Sequence, residues 1–92
     1  MIKKLIKDKI KDKINIHFIK IEDLTKTHLN HPNYDGGGHY KLIVISDDFI
    51  NCTLIQRHQM IYDILKKMIK KEIHAISITA KTIDEYNKKE NS

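Results

Sequence analysis

Hydrophobic positions recur along the chain with two periods, one helical and one extended, and the switches between them mark out the elements. Ile2, Leu5, Ile6 and Ile10 fall at helical spacing with lysines between them, predicting a short amphipathic helix over residues 2 to 13. In His17-Phe18-Ile19-Lys20-Ile21 the β-branched content rises, and Ile19 and Ile21 share one face at period two. Residues 16 to 22 therefore read as a first strand. Residues 24 to 39, LTKTHLNHPNYDGGGH, break the pattern: they are polar and hold the proline, all three glycines and three of the six histidines. A connection this long in a small domain is functional or disordered more often than it is plain linker.

Residues 40 to 46 (YKLIVIS) form a second strand, apolar enough that both its faces are expected to be covered. Residues 47 to 51 turn the chain. From 53 to 71 the positions Leu54, Ile61, Ile64, Leu65, Met68 and Ile69 return to helical spacing, with Lys66, Lys67, Lys70 and Lys71 opposite them. Thr53 is placed to cap the start of this helix. Ile73-His74-Ala75-Ile76-Ser77-Ile78 alternates cleanly as a third strand, with His74, Ile76 and Ile78 on one side. The tail from Thr82 is polar, with room for a helical turn. The expected organisation is one domain over residues 1 to 86 and a polar C-terminal tail over 87 to 92.

Helix, strand, strand, helix, strand is the order of an α+β sandwich, αββααβ with a three-stranded mixed sheet. Strands one and two pair as an antiparallel hairpin, and strands two and three are joined by a helix as a parallel crossover. Parallel strands start at the same end of a sheet. His74, opening strand three, is therefore expected where His39 opens strand two and where the loop carrying His28 and His31 attaches. Cys52 follows strand two and belongs at the opposite end.

Composition narrows the function classes. A chain of 92 residues has surface enough for one core, which excludes a two-domain enzyme. With 40% hydrophobic and 32% charged residues it is a globular chain, and its longest apolar run, residues 42 to 45, is far short of the ~20 residues of a membrane span. Residues 1 to 13 interleave charge too densely for a signal peptide, so a mature or cytosolic chain is expected. The single Cys52 forms no internal disulfide, which suits a reducing compartment, cytoplasmic or mitochondrial. A net charge of +5 invites nucleic acid. However, sixteen of the seventeen basic residues are lysine, with Arg57 alone, and eighteen isoleucines stand beside one valine. That is compositional bias rather than selection for the bidentate fork that specific recognition favours.

The segment DDFINCTLIQRHQMIYDILKKMIKKEIHAISITAKTIDEY resembles the BolA family. The resemblance runs through Ser46, Phe49, Leu54, Gln56-Arg57-His58, His74-Ala75 and Thr82 with Glu85 and Tyr86. The stretch HLNHPNYDGGGHYKLIVIS is similar to the long-loop variety of that family. It covers residues 19 to 86, while residues 1 to 18 match only as a helix leading into a strand. Four positions depart from the pattern: Asn51 for a glycine, Gln59 for an arginine, Ile83 for a proline and Tyr86 for a tryptophan. Asn tolerates positive φ, so the turn at 51 is expected to survive.

The resemblance implies a fold like class II KH domains and a non-enzymatic role beside a monothiol glutaredoxin in [2Fe-2S] cluster assembly or trafficking. It assigns His74 as a cluster ligand and a loop histidine as the second, His31 first and His28 after it, with His39 a weaker candidate. A partner cysteine and glutathione then complete the cluster. Alone, the chain is expected to be a monomer or weak homodimer. The alternative is a DNA-binding regulator using a KH-like or helix-turn-helix surface, with the lysines of residues 66 to 71 as its contact. KH domains grip nucleic acid through a GXXG loop, and the equivalent DDFINCT is acidic and lacks glycine.

Each residue also has a plainer reading. His74 alone is a strand-end histidine, and His28 with His31 is an exposed loop pair. Zinc held by the loop histidines is the competing metal, without the i, i+4 helical spacing that would favour it. His58 falls on the apolar stripe with Leu54, Ile61 and Leu65 and reads as a packing residue. Cys52 has no histidine or cysteine near it in sequence and reads as inert. Gly36-Gly37-Gly38 lacks the strand, helix and lysine of a phosphate loop, so it reads as a source of flexibility.

Overall fold

The computed structural model describes residues 2–25, 38–69 and 71–90. The elements run α1 (Ile2–Lys13), β1 (Phe18–Asp23), β2 (Gly38–Ile45), a 3-10 turn (Asp47–Phe49), α2 (Leu54–Leu65), β3 (Ile73–Lys81) and α3 (Ile83–Glu90). The strands form one sheet in the order β1-β2-β3, with β1 antiparallel and β3 parallel to β2. This is the α+β arrangement with a three-stranded mixed sheet that the sequence predicts. The 3-10 turn stands ahead of α2, and α3 is added at the end. α3 crosses position 86, where the sequence reading puts the end of the domain.

One face of the sheet makes the core. Tyr40, Leu42 and Val44 of β2 are buried against Ile6 and Ile10 from α1, Ile14 just after it, and Ile61, Leu65 and Met68 from α2 and the turn after it. In α1 the buried stripe runs at i, i+4 through Ile6 and Ile10 and continues to Ile14 just past the helix, leaving Leu5 on the exposed side at 49%. In α2 the stripe is Arg57, Ile61 and Leu65, so an arginine occupies the position expected of Leu54. Leu54 itself is 67% exposed, and His58 is half-buried beside it rather than under the helix. α2 starts on a capping box in which Thr53 and Gln56 satisfy each other's backbone amides at 2.9 and 3.1 Å. It ends at Leu65, short of the expected 71, and turns carry the chain to β3, with the Ile73 amide donating to the Met68 carbonyl at 3.0 Å.

Among the described residues little covers the second face of the sheet, against the expectation that β2 is covered on both sides. Lys41 is exposed and Ile43 half-buried. Only the Ile45 end closes, where Phe18, the cross-strand neighbour of Ile45, stacks on Tyr86 of α3 with ring centroids 6.0 Å apart. The parallel ladder contains a bulge: Gly38 sits opposite Ile73 and His39 opposite Ala75, making His74 the extra residue. The bulge delivers Ile73 to the core and leaves His74 exposed, so His74 does not continue the face of Ile76 and Ile78. At Asn51 φ is 67°, the left-handed value that asparagine tolerates.

Candidate functional site

The register places the two histidines that open β2 and β3 side by side. Their rings stand with centroids 5.0 Å apart and planes inclined by 46°. Three local features set this pair. Gly38 lets the chain enter β2 beneath the Tyr40 ring; a Cβ there would meet that ring, with its hydroxyl only 2.6 Å away. The Gly38 amide donates to the Glu72 carbonyl at 3.2 Å, joining the starts of the two strands. The His39 amide donates to the Thr25 hydroxyl at 3.1 Å, and its carbonyl accepts from the Leu24 amide at 2.7 Å, tying β2 to the end of β1. The backbone on both sides of the pair is thereby fixed, while the rings sit at the sheet end, His39 half-buried and His74 exposed.

Neutral imidazole nitrogen is a ligand type that iron, zinc and copper accept. Among the described residues no group of three or more histidine, cysteine or acidic side chains is gathered closely enough to hold a metal ion. His28 and His31 lie outside the described residues. Cys52, half-buried with its Sγ 3.9 Å from the Asp48 carbonyl, follows the opposite end of β2. Six strand residues, about 20 Å, separate that end from His39.

The opposite end of the sheet holds most of the motif residues, and they do structural work. The Ser46 hydroxyl donates to the Asn15 carbonyl at 2.7 Å and accepts from the Asp48 amide at 3.0 Å. The Asp47 and Asp48 carboxylates accept the Ile83 and Asn15 amides at 3.1 and 2.9 Å. Arg57, 6% exposed, donates to the Cys52 and Ala80 carbonyls at 3.0 and 3.1 Å and forks onto Glu85 at 2.7 and 3.3 Å, with its guanidinium carbon 5.9 Å from the centre of the buried Phe49 ring. Thr82 and Glu85 form a capping box for α3. The Arg57 hydrogen bond, followed by the Thr82 amide, lowers the Glu85 carboxyl from 4.5 to about 2, although half of that side chain meets solvent. Sequence reasoning used these residues as a signature without seeing their task. The three-residue spacing of Thr82 and Glu85 is the signal that gives the second capping box away.

Residues 1–85 match the family described as BolA-like protein. The chain belongs to that family. It is 35% identical over 85 residues to the DNA-binding transcriptional regulator BolA of Haemophilus influenzae, covering 92% of this chain and 81% of that protein. A Buchnera aphidicola relative, uncharacterized protein BU473, is 44% identical over 84 residues, covering 91% and 79% respectively. Among solved structures, the BolA domain of SufE1 from Arabidopsis thaliana superposes with a TM-score of 0.78 at 35% identity, over 89% of this chain and 92% of that domain. The relatives from Haemophilus influenzae and Escherichia coli carry the name of DNA-binding transcriptional regulators. No helix among the described residues is long and apolar enough to cross a membrane.

Proposed function

We propose that this BolA-like chain is an intracellular, non-enzymatic adapter that pairs with a monothiol glutaredoxin and shares a bridging [2Fe-2S] cluster with it. The contact of His39 and His74 at the sheet end carries this reading, because two neutral imidazoles suit one iron of such a centre. His74 is the fixed ligand. The second imidazole comes from the segment ending in His39: His31 by the sequence pattern, His39 by its distance from His74. Two protein nitrogens leave the other iron for thiolates, which a partner's cysteine and glutathione supply. A chain whose one cysteine lies at the far end of β2 thus takes part in holding a cluster without a thiol of its own.

Reconstitution with a glutaredoxin, glutathione, iron and sulfide tests this. The mixture gains a visible spectrum distinct from that of the glutaredoxin alone, His74→Ala abolishes the difference and Cys52→Ser preserves it. The reverse pattern defeats the assignment. Comparing His31→Ala with His39→Ala then names the second ligand.

A DNA-binding regulator is the second reading, favoured by the name of the Haemophilus influenzae relative and by the exposed Lys66, Lys67 and Lys71. Against it, Arg57, the sole arginine, is buried and spent on internal acceptors. A salt-dependent shift of duplex DNA in a gel at physiological salt supports this reading; the absence of a shift removes it.

A further inference from the structure

β1 is one edge of the sheet, and among the described residues no strand pairs with its outer side. Such an edge turns every second backbone amide and carbonyl outward and is a template for a further strand. Beside it lies an open groove of about 390 Å³, lined by Lys3, Lys4 and Lys7 of α1 and by Ile19, Lys20 and Ile21 of β1. Four ammonium groups and no carboxylate line it. Lys20 has Glu22 at 3.4 Å, but the two side chains are 56% and 39% exposed, so water screens that pair and leaves the groove positive.

Three features of the groove ask for one occupant. The crowded lysines repel one another until an anion joins them. The half-buried Ile19 and Ile21 offer apolar surface. The strand edge offers backbone donors and acceptors. A phosphate backbone satisfies only the first, whereas an extended peptide with carboxylates and apolar side chains satisfies all three. We propose that the β1 edge and its lysine groove receive an acidic, extended segment of a partner protein, which joins the sheet as a fourth strand. β3, which carries His74, is the other edge, so this surface and the histidine pair are independent of each other.

A fluorescein-labelled peptide alternating glutamate and valine is the probe, read by anisotropy. Saturable binding that weakens with salt and brings slower amide exchange in residues 18–23 is expected. Lys4→Glu with Lys7→Glu, both exposed on α1, lowers the affinity on the order of tenfold with unchanged circular dichroism. The same peptide N-methylated at alternate residues keeps its charge but cannot pair with the edge, and it loses binding. Equal binding of the N-methylated peptide overturns the proposal. So does displacement of the peptide by duplex DNA with the same lysine dependence, and so does the absence of saturable binding.

Discussion

The two ends of the sheet are built on different principles. At the end where β2 finishes, Ser46, Asp47, Asp48, Arg57, Thr82 and Glu85 interlock through side-chain hydrogen bonds that tie the segment after α1, the 3-10 turn, α2, β3 and α3 together. At the end where β2 starts, backbone bonds and one bulge hold the chain, and the rings of His39 and His74 stand against each other. Motif residues at the first end are therefore stability residues, whereas at the second end His39 and His74 meet ring to ring. A BolA-like signature read as one motif mixes both kinds.

Substitutions separate the two ends, and the largest effects belong to the braced one. Phe49, fully buried under Arg57, is expected to cost about 3–5 kcal/mol as Phe49→Ala in chemical denaturation. Arg57→Ala leaves the Cys52 and Ala80 carbonyls without their donor and should cost about 2–3 kcal/mol. An Arg57→Ala protein as stable as wild type would break the comparison. At the histidine end, Gly38→Ala forces the buried Tyr40 ring aside and should cost about 1–2 kcal/mol.

Acid sharpens the contrast. Glu85 titrates near 4.5 when its partners are lost and at about 2 when folded, so its contribution is complete above 4.5 and disappears as pH falls through about 2. Glu85→Gln should flatten the stability profile over that window and leave it unchanged near neutrality in slope. The smallest effect is expected for His74→Ala, an exposed position, within about 0.5 kcal/mol in stability. A loss of several kcal/mol from His74→Ala would show that this histidine braces the fold after all.

Much of the architecture was legible because period and order carry it. Isoleucines four apart mark α1, alternation marks β3, and a helix between two strands implies that they run parallel, which by connectivity alone puts His39 and His74 at one end. The positive φ of Asn51 was legible too, since few residues tolerate it. Leu54 and Arg57 were not. A periodicity reading credits the leucine to the core and the arginine to the surface, yet the guanidinium is the one buried because carbonyls from two other segments and a carboxylate from a third meet it there. The bulge was equally invisible, since Ile73 and His74 alternate as any strand does.

The sequence by itself determined the elements, their order, the family and the end of the sheet at which the imidazoles gather, all of which follow from local pattern and chain connectivity. The tertiary structure alone decided how close the His39 and His74 rings come, which polar residues are internal braces and where four lysines line a groove beside an open strand edge. Those depend on one-residue shifts in register and on contacts between segments more than 20 residues apart, such as Arg57 and Ala80, which no window along the chain contains.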